Sequence, residues 1–234
     1  MKRKEKIMNY TLEQVSKTLD TSLLNPSLDD EALEAGCQVA LTYNSASVCV
    51  MPFFLKRCSE ILAGSTVKAS TTIGFPHGGH TTAVKVAETK QALADGGEEL
   101  DMVVNISKVL SGDWDYVRDD IKAVVDLTRE QGQKTKIIFE NCYLGDDQKI
   151  KLCEICAEVG PDWVKTSTGY AHGGATIEDL KLMLKHSPAP IQVKAAGGVR
   201  TLDGLLEVLD LGVTRVGTTR TAEFCQQYKQ RLGQ

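Results

Sequence analysis

Short apolar and β-branched runs alternate along the chain with longer segments in which apolar residues recur every three or four positions. The eight apolar runs cover residues 19–24, 46–50, 66–74, 99–105, 135–141, 162–168, 191–197 and 214–219. Segments of helical period lie near 28–41, 52–63, 80–94, 114–131, 146–158, 176–185, 201–210 and 219–231. Because such runs favour strands and such spacing favours helices, the pattern predicts eight strands, each followed by a helix.

This alternation predicts an α/β fold, a (β/α)8 TIM barrel. Parallel strands need crossovers of about a dozen residues or more, and the helical segments are long enough to provide them. Eight such units in 234 residues fit one barrel. A doubly wound open sheet is the alternative. Such a sheet usually carries a G-x-G-x-x-G after its first strand, and that motif is missing here.

The chain is interpreted as one domain, residues 1–234, because no proline- or serine-rich linker interrupts it. A helical pattern from about Leu12 to Leu19 precedes the first strand. We expect it to form an extra N-terminal helix that closes the bottom of the barrel. Residues 1–9, MKRKEKIMN, are basic, but the apolar segment of a secretory signal does not follow them. We expect them to be a disordered lead-in.

Composition narrows the class of protein. Lys and Arg number 27 against 31 Asp and Glu, which argues against a strongly basic nucleic-acid binder and a polybasic membrane footprint. No apolar stretch approaches the ~20 residues that span a bilayer. The seven cysteines are an odd number spread through apolar segments, which predicts free thiols in a reducing cytoplasm. The C-x-x-C at 153–156 lies in a helical pattern and is interpreted as structural.

Two predicted neighbouring strands carry a lysine among apolar and small residues, Lys165 and Lys194. Lysine is almost never fully buried without a reason, and barrel enzymes place function at the C-terminal ends of strands. Two ammonium groups held close together disfavour each other's charge, so one lysine pKa is expected to fall towards neutrality. The neutral amine can then attack a carbonyl to form a Schiff base. The alternative is a lysine at the barrel rim paired with a carboxylate.

Two carboxylates accompany these lysines. Asp101 lies inside the apolar run at 99–105, and Asp20 lies in the first run. A carboxylate in an apolar strand costs free energy unless it is paired. Asp101 is therefore predicted to pair with a lysine and to move protons, with a structural salt bridge as the alternative. Asp20 is a second acidic candidate, which we group with the substrate-binding residues.

The last predicted strands end in glycines and hydroxyl residues, in the loops with which barrels often bind phosphate. Glycines let backbone N–H groups approach an anion, and a following helix N-terminus favours negative charge. An arginine can bind phosphate oxygens through two N–H groups. The candidate substrate- and phosphate-binding residues in these loops are Thr168, Gly169, Gly197, Gly198, Thr219 and Arg220.

Metal and serine-hydrolase chemistry find little support. His77 and His80 are separated by two glycines, which is not a helical ligand pair, and no acidic partner completes a ligand set. We therefore predict no metal site. A Ser-His-Asp hydrolase is disfavoured because the chain lacks a G-x-S-x-G elbow.

Five motifs carry a resemblance to a known family: IGFPHG (73–78), ELDMVVN (99–105), IIFENCYL (137–144), VKTSTG (164–169) and VKAAGGVR (193–200). Their order and spacing, from about Leu19 to Thr219, closely resemble the deoxyribose-phosphate aldolase family. The resemblance implies a class I aldolase on a (β/α)8 barrel, without a metal or an organic cofactor.

The resemblance also implies roles for single residues. It gives the Schiff base to Lys165, the lowering of its pKa to Lys194, and proton shuttling to Asp101. Gly197, Gly198 and Thr219 match phosphate-contacting positions. Arg220 stands where a second small hydroxyl residue is usual. Some members end in a tyrosine that reaches the active site, and Tyr228 is the residue to examine here.

The activity implied is reversible cleavage of 2-deoxy-D-ribose 5-phosphate to D-glyceraldehyde 3-phosphate and acetaldehyde, in deoxyribonucleotide catabolism. The expected partners are these small molecules and a second copy of the chain in a homodimer, with no nucleic acid and no membrane. Two alternatives remain open. One is a related Schiff-base lyase with a different phosphorylated substrate, and the other is a non-catalytic protein that senses phosphate.

Overall fold

Eight parallel strands pair in sequence order and close into a barrel in the computed structural model, which describes residues 10–234. The predicted lead-in at residues 1–9 lies outside the described residues. The strands are β1 Leu19–Leu23, β2 Ser47–Val50, β3 Lys68–Ile73, β4 Glu99–Val103, β5 Lys134–Ile138, β6 Trp163–Lys165, β7 Gln192–Ala196 and β8 Arg215–Thr218. Pairing of β1 with β8 closes the ring, which confirms the predicted TIM barrel.

Helices follow every strand. They are α1 Leu12–Ser16, α2 Asp30–Tyr43, α3 Leu55–Leu62, α4 Thr82–Ala94, α5 Ile106–Leu110, α6 Trp114–Glu130, α7 Asp146–Val159, α8 Ile177–His186, α9 Leu202–Asp210 and α10 Thr221–Arg231, with 3-10 turns at Pro52–Phe54 and Asn141–Tyr143. The sequence pattern did not predict α5, because five residues are too few to show a helical period. Across the described residues, no helix combines the length and the apolar character that crossing a membrane requires.

Local chemistry sets the helix ends. The side chain of Asp29 accepts a hydrogen bond from the Ala32 amide at 2.9 Å, and Thr176 accepts one from the Asp179 amide at 3.1 Å. Both residues thereby satisfy an amide that the first helical turn leaves free. At the other end of α7, Gly160 adopts a φ of 77°, a left-handed conformation that glycine enters at little cost.

The extra N-terminal helix lies at the N-terminal end of the barrel. Lys17, which follows α1, donates to the Ser45 carbonyl at 3.2 Å and to the Thr66 hydroxyl at 2.8 Å. Ser45 and Thr66 lie in the segments that lead into β2 and β3. The helix is shorter than the predicted span and sits opposite the face on which strands end.

The barrel interior is polar, whereas branched aliphatic side chains fill most barrels of this kind. Within the described residues it holds three buried carboxylates and four buried cations: Asp20, Glu99, Asp101, Lys136, Lys165, Lys194 and Arg215. The apolar core lies outside the strands, between them and the helices. Its strand contribution comes from the alternate positions, which include Leu100, Ile137, Val164, Val193 and Val216.

The cysteines are free thiols. Cys153 and Cys156 are buried in α7, and burial raises the pKa of the Cys153 thiol to about 11. A thiol in that state supplies little thiolate, the reactive form, near neutral pH. This environment agrees with the structural interpretation of the C-x-x-C.

Candidate active site

Two lysines meet one carboxylate oxygen inside the barrel. The Nζ atom of Lys165 lies 2.7 Å from Oδ2 of Asp101, and the Nζ atom of Lys194 lies 2.8 Å from the same oxygen. β4, β6 and β7 supply the three residues, and the register of β6 with β7 sets Lys165 directly beside Lys194. The structure therefore brings together the three residues that the sequence predicted to carry the chemistry.

A second set of charges lies around this trio. Lys136 donates to Oδ1 of Asp101 at 2.8 Å and to Glu99 at 2.6 Å. Asp20 binds Lys194 and also accepts from Arg215 at 2.5 Å. Both oxygens of Asp20 are thus occupied by cations. The structure places Asp20 in the ionic cluster around the lysines and at the floor of the cavity above them, and its predicted part in substrate binding stays a prediction.

The surroundings of the two lysines shift their pKa values in opposite directions. Burial lowers the pKa of Lys165; Asp101 opposes that effect, and the charge of Lys194 reinforces it. Burial acts in the same direction on Lys194, but the carboxylates of Asp101 and Asp20 outweigh it and raise the pKa of that ammonium. Lys165 is therefore the member of the pair that releases its proton more readily. A neutral Lys165 beside a charged Lys194 is the state required for nucleophilic attack.

The balance of charges inside the barrel also favours a neutral Lys165. Four cations and three carboxylates share the described barrel interior, so one positive charge lacks a negative counterpart there. Burial in a medium of low polarity penalises such an excess. Loss of one proton from Lys165 balances the interior. Asp101 stays ionised: burial favours its protonation, but Lys136, Lys165 and Lys194 hold its pKa well below the usual range.

A cavity of about 740 Å³ opens above the lysines at the C-terminal ends of the strands. Lys165, Lys194 and Asp20 line its floor, and the predicted loop residues line its walls: Thr168, Gly169, Gly197, Gly198, Thr219 and Arg220. Gly198 adopts a φ of 81°, and a Cβ atom there would lie 2.7 Å from the Ala175 carbonyl oxygen. This turn therefore needs glycine, and Gly198 lines the cavity.

Arg220 lies at the start of α10 with its side chain about half exposed. Its guanidinium donates to the Arg200 carbonyl at 3.2 Å and to Glu223 at 3.4 Å. In this structure Arg220 thus pairs with Glu223. Arg220 and Arg200 both line the cavity.

Thr168 is bound by Glu140, which was not among the predicted site residues. Its amide lies 3.2 Å from each carboxylate oxygen of Glu140, and its hydroxyl donates to the same carboxylate. β6 ends at Lys165, so the predicted strand at 162–168 extends too far. Residues that were expected to extend a strand form the rim of the cavity instead.

Other charged residues of the interior were also missed: Glu99, Lys136 and Arg215. Side chains alternate between the two faces of a strand, so Glu99 must face the same side as Asp101, two positions on. That alternation was available in the sequence. Lys136 and Arg215 lie in short apolar runs, and contacts between strands bring them onto Glu99, at 2.6 and 2.7 Å. Lys136 comes from the neighbouring strand β5, and Arg215 comes from β8, across the barrel.

Tyr228 lies away from the cavity. It is buried in α10, and its hydroxyl donates to the Tyr10 carbonyl at 2.7 Å, close to α1. Its place is at the N-terminal end of the barrel.

Among residues 10–234, His, Cys, Asp and Glu side chains form no group with the arrangement of a metal site. His77 and His80 form no such group.

A family model described as "DeoC/LacD family aldolase" matches residues 13–219, most of the chain. The chain belongs to the DeoC/LacD aldolase family. It is 60% identical to the deoxyribose-phosphate aldolase of Rhodopirellula baltica over 225 residues, 96% of this chain and 93% of that protein. It is 44% identical to the Clostridium perfringens deoxyribose-phosphate aldolase over 92% of this chain and 95% of that one.

Solved structures in the aldolase family superpose closely. One described as "QR15, an Aldolase" has a TM-score of 0.88 at 34% identity, covering 93% of this chain and 97% of that chain. The deoxyribose phosphate aldolase of Aeropyrum pernix, described as a tetramer, has a TM-score of 0.87 at 26% identity, with coverage of 94% and 92%. The family resemblance seen in the five motifs is confirmed.

Proposed function

We propose that this protein is a class I aldolase that reversibly cleaves 2-deoxy-D-ribose 5-phosphate into D-glyceraldehyde 3-phosphate and acetaldehyde. One observation carries the proposal: Lys165 and Lys194 share a single oxygen of Asp101 at the floor of an open cavity. The deoxyribose-phosphate aldolases that match nearly the whole chain support the substrate.

The reaction begins at Lys165. Its neutral amine attacks the sugar aldehyde at C1, and the adduct takes up a proton and loses water to leave a protonated imine. Lys194 keeps its charge because two carboxylates surround it, so it does not compete as the nucleophile. The imine draws electrons from the C2–C3 bond. That bond breaks while the C3 hydroxyl gives up its proton, which releases D-glyceraldehyde 3-phosphate and leaves an enamine on Lys165.

The second half of the reaction adds a proton and water. The enamine takes a proton at C2, and hydrolysis of the resulting imine releases acetaldehyde and restores the amine. Asp101 moves these protons through a water molecule. An ammonium has three N–H donors and an imine has one at most, so imine formation frees acceptor capacity at Oδ2 of Asp101. Lys194 remains bonded there and holds the carboxylate in place.

The phosphate of the substrate lies at the loops after β7 and β8. Gly197, Gly198 and Thr219 present backbone N–H groups and a hydroxyl, and Arg220 adds a charge-assisted contact when it exchanges Glu223 for the phosphate. The chain between C1 on Lys165 and the phosphate then crosses the main cavity.

The test is covalent trapping. Protein mixed with acetaldehyde and borohydride gains an ethyl group on the peptide that contains Lys165, because borohydride reduces the imine to a stable amine. The peptide with Lys85, a buried lysine outside the cavity, serves as the internal control and stays unmodified. Modification confined to Lys194 reverses the two roles. Absence of trapping on both lysines favours the phosphate-sensing alternative.

A substrate panel tests the sugar. The enzyme is expected to cleave 2-deoxy-D-ribose 5-phosphate faster than other phosphorylated aldoses and ketoses of similar length. A better substrate in that panel identifies the protein as a related Schiff-base lyase.

We also infer a cytoplasmic, catabolic role and assembly as a homodimer. Light scattering behind a sizing column measures the assembly.

A further inference from the structure

A second, smaller cavity adjoins the main one. This side pocket has a volume of about 250 Å³. Its lining residues are Pro76, His77, Ile106, Ser107, Leu110, Glu140, Tyr143, Thr168, Tyr170 and Ala171. The two cavities have only Thr168 and Tyr170 in common, so these two residues form the partition between them.

Tyr170 is held across the mouth of the barrel. Its hydroxyl donates to the Leu24 carbonyl in the loop after β1, and its ring meets Phe75, after β3, edge to face at 5.3 Å between centroids. The loop after β6 therefore reaches the loops of two distant strands. These two contacts hold the half-exposed ring of Tyr170 in place between the two cavities.

The other half of the partition is anchored by Glu140. This residue is buried and has a φ of 57°, the left-handed region that costs free energy for a residue other than glycine. In this conformation its carboxylate binds the amide and the hydroxyl of Thr168. The Thr168 hydroxyl in turn accepts from the Tyr170 amide at 3.0 Å, so the anchoring extends to Tyr170.

The side pocket suits an apolar chain. Ile106, Leu110, Tyr143 and Pro76 are among the residues that line it, and Leu110 and Tyr143 are about half exposed. The carboxylate of Glu140 is occupied by Thr168. The pocket lies on the side of β3, β4 and β5, whereas the phosphate loops follow β7 and β8. Lys165, on β6, lies between the two regions.

Building on the aldolase function proposed above, we propose that Tyr170 determines donor specificity. Its ring limits the aldehyde on Lys165 to a short donor, because a longer aliphatic chain directed away from the phosphate loops meets the partition. Removal of the ring joins the cavities and lets an unbranched aliphatic aldehyde extend into the side pocket. The ligand class of that pocket is thus the apolar chain of a donor such as propanal or butanal.

The experiment compares donors in the direction of synthesis. With D-glyceraldehyde 3-phosphate as acceptor, kcat/KM is measured for acetaldehyde, propanal and butanal, and the propanal-to-acetaldehyde ratio is the readout. Tyr170→Ala is expected to raise this ratio about 10-fold, the lower end of what a pocket gains or loses by one methylene. Tyr170→Phe loses the bond to Leu24 but retains the ring, so its ratio stays near that of the wild type.

Phe53→Ala is the matched control. Phe53 is an aromatic residue on the same face of the barrel, 87% exposed, and lines neither cavity. Its removal is expected to leave the ratio unchanged. Thermal melting checks that each variant is folded, and Tyr170→Leu, which opens part of the wall, replaces Tyr170→Ala if that variant does not fold.

The outcomes separate this inference from the function on which it rests. An unchanged ratio in folded Tyr170→Ala and Tyr170→Leu, with acetaldehyde still used, overturns the inference and leaves the aldolase function intact. A rise in Tyr170→Phe as large as that in Tyr170→Ala also overturns it, because the ring is then not the barrier. Failure of the wild type to trap acetaldehyde on Lys165 rejects the function itself.

Discussion

Two buried lysine–aspartate pairs lie close to the same strand and differ in what surrounds them. Lys85 of α4 binds Asp120 of α6 at 2.5 Å, and its ammonium also donates to the Val103 carbonyl at the end of β4. The other oxygen of Asp120 accepts from the Thr82 hydroxyl at 2.7 Å. Asp101, two residues before Val103, instead serves Lys136, Lys165 and Lys194 together.

The comparison shows that burial and ion pairing alone do not mark an active site. Lys85 has a carboxylate to itself, lies 0% exposed, and borders neither the main cavity nor the side pocket. Lys165 shares its carboxylate with two competitors and borders the main cavity. Sharing leaves its charge poorly compensated, and the cavity gives its amine access to a carbonyl. We expect the first pair to contribute stability and the second to contribute chemistry.

The largest expected effect is on the nucleophile. Lys165→Ala removes the covalent route, so kcat is expected to fall by about 10⁴-fold or more. Turnover of 2-deoxy-D-ribose 5-phosphate in a coupled assay measures the loss, with circular dichroism to confirm folding. A folded variant with more than a few per cent of wild-type turnover contradicts the assignment of Lys165.

The second prediction concerns the pair outside the cavity. Asp120→Ala leaves the buried charge of Lys85 uncompensated and is expected to lower the free energy of unfolding by about 3–5 kcal/mol. Denaturant titration measures this change. Activity per folded molecule is expected to stay near the wild-type value. A large loss of kcat in the folded variant removes the distinction between the two pairs.

Asp101→Asn keeps the shape of the side chain and removes its charge. Because Asp101 moves protons in the proposed reaction, kcat is expected to fall by about 10²-fold or more, the usual size of general acid–base effects. Steady-state kinetics on protein shown to be folded by thermal melting measure the fall. A nearly normal kcat assigns Asp101 to the same structural role as Asp120.

Arg220 and Glu223 form a third kind of pair, in which the two side chains are half exposed and 3.4 Å apart. Such a surface pair contributes little stability, so the guanidinium can exchange Glu223 for a phosphate. Arg220→Ser is expected to reduce kcat/KM for the phosphorylated sugar by about 1.5–3 kcal/mol in free-energy terms, mainly through KM. Unphosphorylated deoxyribose is expected to react at an unchanged rate. Equal losses on both sugars, or none on either, place Arg220 outside phosphate binding.

The smallest expected effect is a displacement of a pH profile. The amine of Lys165 reacts when neutral, so the rate of imine formation rises with pH through the pKa of Lys165, which lies below the ordinary 10.5. Lys194→Gln removes a charge that lowers this pKa and is expected to move the rise to higher pH. Asp101→Asn removes a charge that raises it and is expected to move the rise to lower pH. Borohydride trapping of acetaldehyde across pH measures both, and shifts of the same sign contradict the electrostatic account.

Local patterns were enough to predict most of the fold. Alternation of short apolar runs with helical segments predicts the barrel, because side-chain period and segment length are properties of neighbouring residues. The same reasoning selects Lys165 and Lys194, since a lysine in an apolar strand is unusual wherever the strand lies. It extends the run at 162–168 too far. Beyond the end of β6, Thr168 binds Glu140, 28 residues away along the chain, and a local pattern does not show such a partner.

The order of the elements and the kind of chemistry available thus follow from local patterns alone: eight strand–helix units, two lysines and a carboxylate inside apolar runs, and glycine-rich strand ends. Tertiary structure decided which charges share a partner. Pairing of β4 with β5 sets Lys136 beside Asp101, whereas closure of the barrel brings Arg215 onto Glu99 and Asp20 and assigns Asp20 to the ionic cluster. It also places Tyr228 at the opposite end from the cavity. The physical reason is distance: electrostatic coupling depends on separations of a few ångströms across the barrel, and these arise between residues that lie far apart in the chain.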